Sequence, residues 1–264
     1  MAAVGLPILG LIALGGLAIG SFLNVVIYRV PRGQSIAFPG SHCPHCLTHI
    51  KARHNVPVLG WLALRGKCAA CKVAISPRYL LVELGTAALL VAITLRFGLV
   101  IELPAYLFFG CVAVTLALID ADVRRLPDSI VLSAYVVAPL LLMPAGAAQG
   151  DVYQAVRGGL GILALWSIYF ALQLAGPNAI TSGDVKLAGL LGLFLGWISW
   201  GALLVGIVIG LLIGGGVGVR MSMAGPKHTA IQVAYGPCMI GGAATALFVA
   251  APVLSWYGAL IGSS

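Results

Sequence analysis

The stretch LPAYLFFGCVAVTLALIDADVRRLPD (residues 103–128) decides how the chain must fold. An uncharged run from Leu103 to Ile119 ends on Asp120 and passes at once to Asp122, Arg124, Arg125 and Asp128. About 20 apolar residues suffice for a helix to cross the hydrocarbon core of a bilayer. Lipid cannot satisfy backbone N–H and C=O groups, so such a run must be helical. Asp120 then stands at a membrane edge, on the side that the two arginines mark.

Outward from this stretch the same pattern repeats. Apolar runs at roughly 4–28, 79–96, 102–120, 129–149, 157–175, 184–199, 200–219 and 236–258 predict about eight transmembrane helices, an all-α polytopic membrane protein. The boundary at Trp197, Ser199 and Trp200 is soft. The composition agrees: 61% of residues are hydrophobic and 8% charged, against about a quarter charged in soluble domains. The first run lacks a basic leader and continues into Arg29 and Arg32, so it is expected to be a retained span and not a signal peptide.

With eight spans and the N-terminus outside, 13 of the 15 Lys and Arg fall on the inside; Arg96 and Arg157 fall outside. The net charge of +8 is therefore a topology signal, with some attraction to anionic membrane lipid, and no evidence for nucleic acid. The chain is thus expected to cross a membrane several times, with these basic segments on the cytoplasmic side.

Residues 29–78 interrupt the membrane pattern, giving three expected parts: a first helix (1–28), a cytoplasmic module (29–78) and a seven-helix membrane domain (79–264). The module holds Cys43-Pro-His-Cys46 and Cys68-Ala-Ala-Cys71. Two CxxC knuckles can converge tetrahedrally on one Zn²⁺, and a segment this small needs such a staple. A redox pair is the competing reading, weakened by the second knuckle and by the reducing cytoplasm. His42, His45, His49 and His54 are expected to be solvated loop residues, although one could replace a cysteine. Cys111 and Cys238 read as small apolar residues. Gly206, Gly210 and Gly214 predict close helix packing; no sequence repeat is evident.

Only seven acidic residues occur. Glu102 and Asp151 are expected to be solvated in outside connections, Glu83 to snorkel or pair with Arg78, Asp128 to cap the fourth span, and Asp122 to lie in an interfacial loop. Asp120 ends the third span and Asp184 opens the sixth, both at the cytoplasmic edge. Two carboxylates sharing a desolvated site hold one proton between them, one acting as base toward water and the other as acid toward a carbonyl. Gly183 would let backbone or substrate approach closely. Asp184 could equally be a helix N-terminal group beside Lys186, and Asp120 a partner of Arg124. Topology alone leaves catalytic, structural and ion-pathway roles open.

Several motifs together resemble the bacterial prepilin leader peptidases. They are GSFLNVVIYR (20–29), the CxxC pair with Arg65-Gly66-Lys67 ahead of the second, Ile75-Ser76-Pro77-Arg78-Tyr79 leading to Glu83, IDADVRRLPD (119–128), SGDVKLAG (182–189) and Tyr235-Gly236-Pro237. The resemblance implies aspartyl peptidases of the GxGD type, with Asp120 and Asp184 catalytic and Gly183, Asp122, Asp128 and Lys186 in support. It implies a bacterial cytoplasmic (inner) membrane as the location and prepilin or pseudopilin substrates, cut after the glycine that ends a basic leader. It further implies N-methylation with S-adenosylmethionine, a step linked to Gly66. Thr181 departs from the first glycine of the motif, and Leu80 from a common proline. An ion-coupled transporter using the two acids is the alternative, but transporter sites lie near mid-bilayer and come with internal repeats. A membrane scaffold with a zinc module leaves the acids unexplained.

Overall fold

The computed structural model describes residues 4–150, 152–175, 180–223 and 234–262, and among them the chain is helical, without a strand. Asp151, expected in an outside connection, and Lys227, one of the 13 basic residues expected inside, lie outside the described residues. Nine α-helices follow in order among the described residues: α1 (Leu6–Arg29), α2 (Leu59–Ala63), α3 (Arg78–Phe97), α4 (Leu103–Val123), α5 (Asp128–Gln149), α6 (Val152–Ala175), α7 (Ser182–Ile198), α8 (Trp200–Met223) and α9 (Tyr235–Gly262). All but α2 and α7 are long and apolar enough to cross a membrane, seven in total. The eighth expected span is α7, whose 17 residues reach about 26 Å. Every residue from Asp184 to Trp197 except Lys186 is buried. The short helix is thus a core element.

Two compact units divide the chain, Met1–Thr115 and Leu116–Ser264. In the first, α1 packs on α3 through glycine: a Cβ on Gly16 would lie 2.6 Å from the Ala87 Cα, and one on Gly20 2.7 Å from the Glu83 Cα. Between these helices in the chain sits the cysteine module. Glu83 does not snorkel to solvent; it is buried, and its Oε2 accepts the Val58 N–H at 2.7 Å. Glu102 likewise is buried and not solvated; it sits at the start of α4, where its backbone carbonyl accepts the Ala105 and Tyr106 N–H groups.

In the second unit, α7 is held at both ends. Gly158 and Gly161 of α6 meet Gly192 and Gly196 of α7 backbone to backbone, so a Cβ on Gly161 or Gly192 would strike the other's carbonyl. Helix α6 begins five residues earlier than the apolar run suggested, and this changes the role of Arg157. Its guanidinium donates to the carbonyls of Gly196, Trp197 and Ile198, filling the orphan acceptors at the α7 C-terminus. Ser199 is extended and its hydroxyl accepts the Ala202 N–H, which separates α7 from α8. The glycines of α8 do pack closely: Gly242 of α9 would place a Cβ 2.5 Å from the Gly210 nitrogen.

Candidate active site and metal centre

Asp120 lies in the last full turn of α4, which ends where Arg124 takes a left-handed conformation (φ 52°). Asp184 is the third residue of α7. Both are buried, 5% and 3% exposed, whereas Asp122 is exposed. They belong to the same unit, and the charge of Asp184 acts on Asp120. Carboxylates so enclosed need donors, and each has them on one oxygen.

Asp184 Oδ2 accepts both the Thr181 N–H and the Thr181 hydroxyl at 2.8 Å. The Thr181 oxygen in turn accepts the Asp184 N–H at 3.3 Å. This is a reciprocal capping box. Thr181, the departure from the glycine of the motif, thus supplies a hydroxyl that glycine cannot. Asp120 Oδ2 accepts the Gly236 N–H from the start of α9 at 3.0 Å, and a Cβ on Gly236 would come within 2.8 Å of that oxygen. Only glycine lets the backbone approach so closely. Gly183 instead faces the side chain of Leu126, 3.1 Å from where its Cβ would stand.

Three neighbours were not assigned to the site above. Cys238 senses the charge of both acids, and Tyr169 and Tyr235 sense that of Asp184. The two tyrosine rings stand 6.1 Å apart. Tyr235 was visible within its motif; Tyr169 carried no signal beyond being a polar-tipped residue deep in a span.

The structure moves Asp128 and Lys186 from their simplest readings. Pro127 is the residue before α5, Asp128 makes no side-chain cap, and it pairs with Lys186 at 2.7 Å. Lys186 therefore serves Asp128, tying the starts of α5 and α7. With side chains 36% and 58% exposed, the pair contributes about 0–1 kcal/mol. Asp128→Asn and Lys186→Met are expected to alter catalytic rate by less than about fivefold; a loss of about 100-fold in a cleavage assay would give them a chemical role.

In the first unit the four sulfurs of Cys43, Cys46, Cys68 and Cys71 lie within 4.8 Å of one another, with Cys43–Cys71 and Cys46–Cys68 at 3.9 Å. Sulfurs about 2.3 Å from a tetrahedral Zn²⁺ would stand about 3.8 Å apart. The four-thiol donor set fits that ion, and none of the histidines joins it among the described residues. The knuckles are copies. Cys43 N–H bonds to Thr48 and Cys68 N–H to Val73; Leu47 returns to Cys43 and Lys72 to Cys68; Ile50 closes on Ser41 and Ile75 on Gly66. A single bridge flanks each, His42 with His49 and Lys67 with Ala74. Both residues after the second cysteine, Leu47 and Lys72, have positive φ. Each pair is offset by 25 positions, a local repeat that residue identity concealed. Thr48 hydroxyl and amide hydrogen bonds bring Cys46 down to about 6, and the amides of Cys71 and Ala70 lower Cys68. Cys71 goes the other way: the Val73 amide lowers it, but burial and the neighbouring cysteines push it up to about 11. The thiolate, the ligating form, is thereby favoured at Cys46 and Cys68.

Gly66, φ +66°, opens the second knuckle, and a Cβ there would lie 2.7 Å from the Trp61 ring. Trp61 donates to the Ile75 carbonyl at 3.3 Å. The structure thus gives Gly66 a conformational reason to be glycine.

Residues 14–97 match the family model for the bacterial Peptidase A24 N-terminal domain, and residues 107–219 match that of the Type IV leader peptidase family. The chain belongs to the Type IV leader peptidase family. Relatives named prepilin leader peptidase/N-methyltransferase include one from Stutzerimonas stutzeri, 34% identical over 84% of each chain. One from Aeromonas hydrophila is 34% identical over 96% of this chain and 95% of the relative. One from Klebsiella pneumoniae is 40% identical over 70% of this chain and 83% of its own. No solved structure matches. Both aspartates fall within the leader peptidase match, and all four cysteines within the N-terminal one.

Proposed function

We propose that this membrane enzyme removes the short basic leader of prepilins and pseudopilins by aspartyl proteolysis at the cytoplasmic membrane edge. The new N-terminus is then methylated. The observation that carries the cleavage reading is the pair of buried carboxylates on α4 and α7, each with one oxygen engaged and the other without a hydrogen bond among the described residues. Asp184 Oδ2 accepts two hydrogen bonds and Asp120 Oδ2 one, so negative charge is held better on Asp184. Asp184 then takes a proton from water, whose oxygen attacks the scissile carbonyl. Asp120 gives its proton to the carbonyl oxygen. The tetrahedral diol collapses as the C–N bond breaks, and the amine leaves with a proton from the pair.

In this reading the N-terminus of the enzyme is outside, and the cysteine module and both acids face the cytoplasm. The four thiolates hold a Zn²⁺ that closes the module and takes no part in cleavage. S-adenosylmethionine supplies the methyl group. The test is co-expression with a candidate prepilin and mass spectrometry of its N-terminus. The expected product lacks the leader and is about 14 Da heavier, by one methylene unit, than the unmodified mature chain. An intact leader would overturn the reading, and a cleaved but unmethylated product would remove its second half.

A further inference from the structure

The motif GSFLNVVIYR is not absorbed by proteolysis. Three of its residues are occupied structurally. Gly20 admits the Glu83 backbone, Asn24 donates to the Tyr79 carbonyl at 3.1 Å, and Arg29 donates to the carbonyls of Ser35 and Gly40. Leu23, Val26 and Ile27 are buried in the core and Tyr28 lies under the Arg32 guanidinium. Ser21, Phe22 and Val25 remain, and they line a cleft of about 370 Å³ whose other wall is the loop around Ile36 and Asn55. Arg29 lines it as well. We propose that this cleft is the S-adenosylmethionine-binding site of the chain. The inference rests on the methyl-transfer reading above.

The volume falls in the range of small-molecule sites, about 300–1,000 Å³. The lining suits each part of the ligand. Arg29 is buried and has five N–H donors, of which two groups are spent on carbonyls, leaving capacity for a carboxylate. Those carbonyls also temper its charge toward a sulfonium. Phe22 is half exposed at 51% and offers a flat face to an adenine ring or a cation. Ser21 and Asn55 supply hydroxyl and amide partners for ribose and base.

The division of the family match points the same way. The peptidase segment, 107–219, carries both aspartates, and the N-terminal segment, 14–97, contains every residue of the cleft. A second cleft of the first unit is lined by Leu11, Ile19, Leu90 and Phe108 among wholly apolar residues. It could not satisfy a sulfonium, a carboxylate or a ribose. Gly66 lines neither cleft and acts through the fold of its knuckle, as a positioning residue.

The test uses the purified full-length protein in detergent, irradiated with methyl-tritiated S-adenosylmethionine and mapped by peptide mass spectrometry. Label is expected in 18–41 or 55–57, suppressed by S-adenosylhomocysteine. In equilibrium dialysis Ala37→Trp, which fills the cleft from its exposed loop, should weaken binding at least about tenfold, with leader cleavage and metal content unchanged. Label confined to 64–75, or wild-type affinity in Ala37→Trp, would overturn the cleft and leave methyl transfer standing. A chain that cleaves leaders but binds no S-adenosylmethionine would remove the methyl-transfer reading, and the cleft with it.

Discussion

Asp120→Asn and Asp184→Asn are each expected to lower leader cleavage by roughly 10²–10⁴-fold, while both variants insert and keep their metal. Asparagine is nearly isosteric with aspartate, so packing in the last turn of α4 and the first of α7 survives. What it lacks is the proton. At Asp184 it cannot take one from water, and at Asp120 it cannot return one to the carbonyl. The double variant should be little worse than either single one, because groups acting as a unit are not additive. Thr181→Val is the informative intermediate. It removes the hydroxyl that donates to Asp184 Oδ2 but keeps the Thr181 N–H on the same oxygen. The loss of one hydrogen bond to a charged group, about 1.5–3 kcal/mol, predicts a fall of tenfold to about 150-fold in kcat. Thr181→Ser should restore it. Cleavage kinetics with purified prepilin decide the matter, and near wild-type cleavage by either asparagine variant would end the aspartyl mechanism.

The order of the helices was legible because lipid leaves the backbone one solution, and hydropathy reports where it applies. It failed at the start of α6, where Val152-Tyr153-Gln154 breaks the apolar run although Arg157 needs that helix to reach the α7 carbonyls. The burial of Asp120 and Asp184 was legible for a related reason: each stands where an apolar run meets its edge, and only seven acidic residues existed to choose from; the same reasoning missed Glu83 and Glu102, which are buried as well. Their partners were hidden. Gly236 is 116 residues from Asp120, and a glycine that matters through its N–H has no side chain to announce it. Thr181 looked like a defect in a glycine motif; the structure makes it a cap and a donor. The duplicated knuckle was concealed because its two copies share only the pair of cysteines and the final isoleucine, Ile50 and Ile75. Its symmetry lies in backbone bonds and in positive φ at Leu47 and Lys72.

Cys43→Ser and Cys71→Ser should each strip the chain of its metal and unfold the segment between α1 and α3. Structural Zn²⁺ binding is worth about 10–16 kcal/mol in small domains, far more than this module can gain from burial. Its three short helical turns and two isolated bridges have no sheet or long helix to fall back on. Arg53, Arg65, Lys67 and Lys72 already lie at the surface, so loss of the knuckles frees the backbone around them, and limited tryptic digestion should then cut between 33 and 77 where the wild type resists. The aspartates sit in the other unit, where α6 and Arg157 hold α7 and the Gly236 N–H holds Asp120 without the metal. Cleavage should therefore persist in large part, while methylation, which needs the loop on the far wall of the Arg29 cleft, is lost. Elemental analysis is the first measurement to make: metal retained at one ion per chain in both variants would mean that the four sulfurs converge for some other reason. Equal loss of cleavage and methylation would mean that the two activities share the module after all.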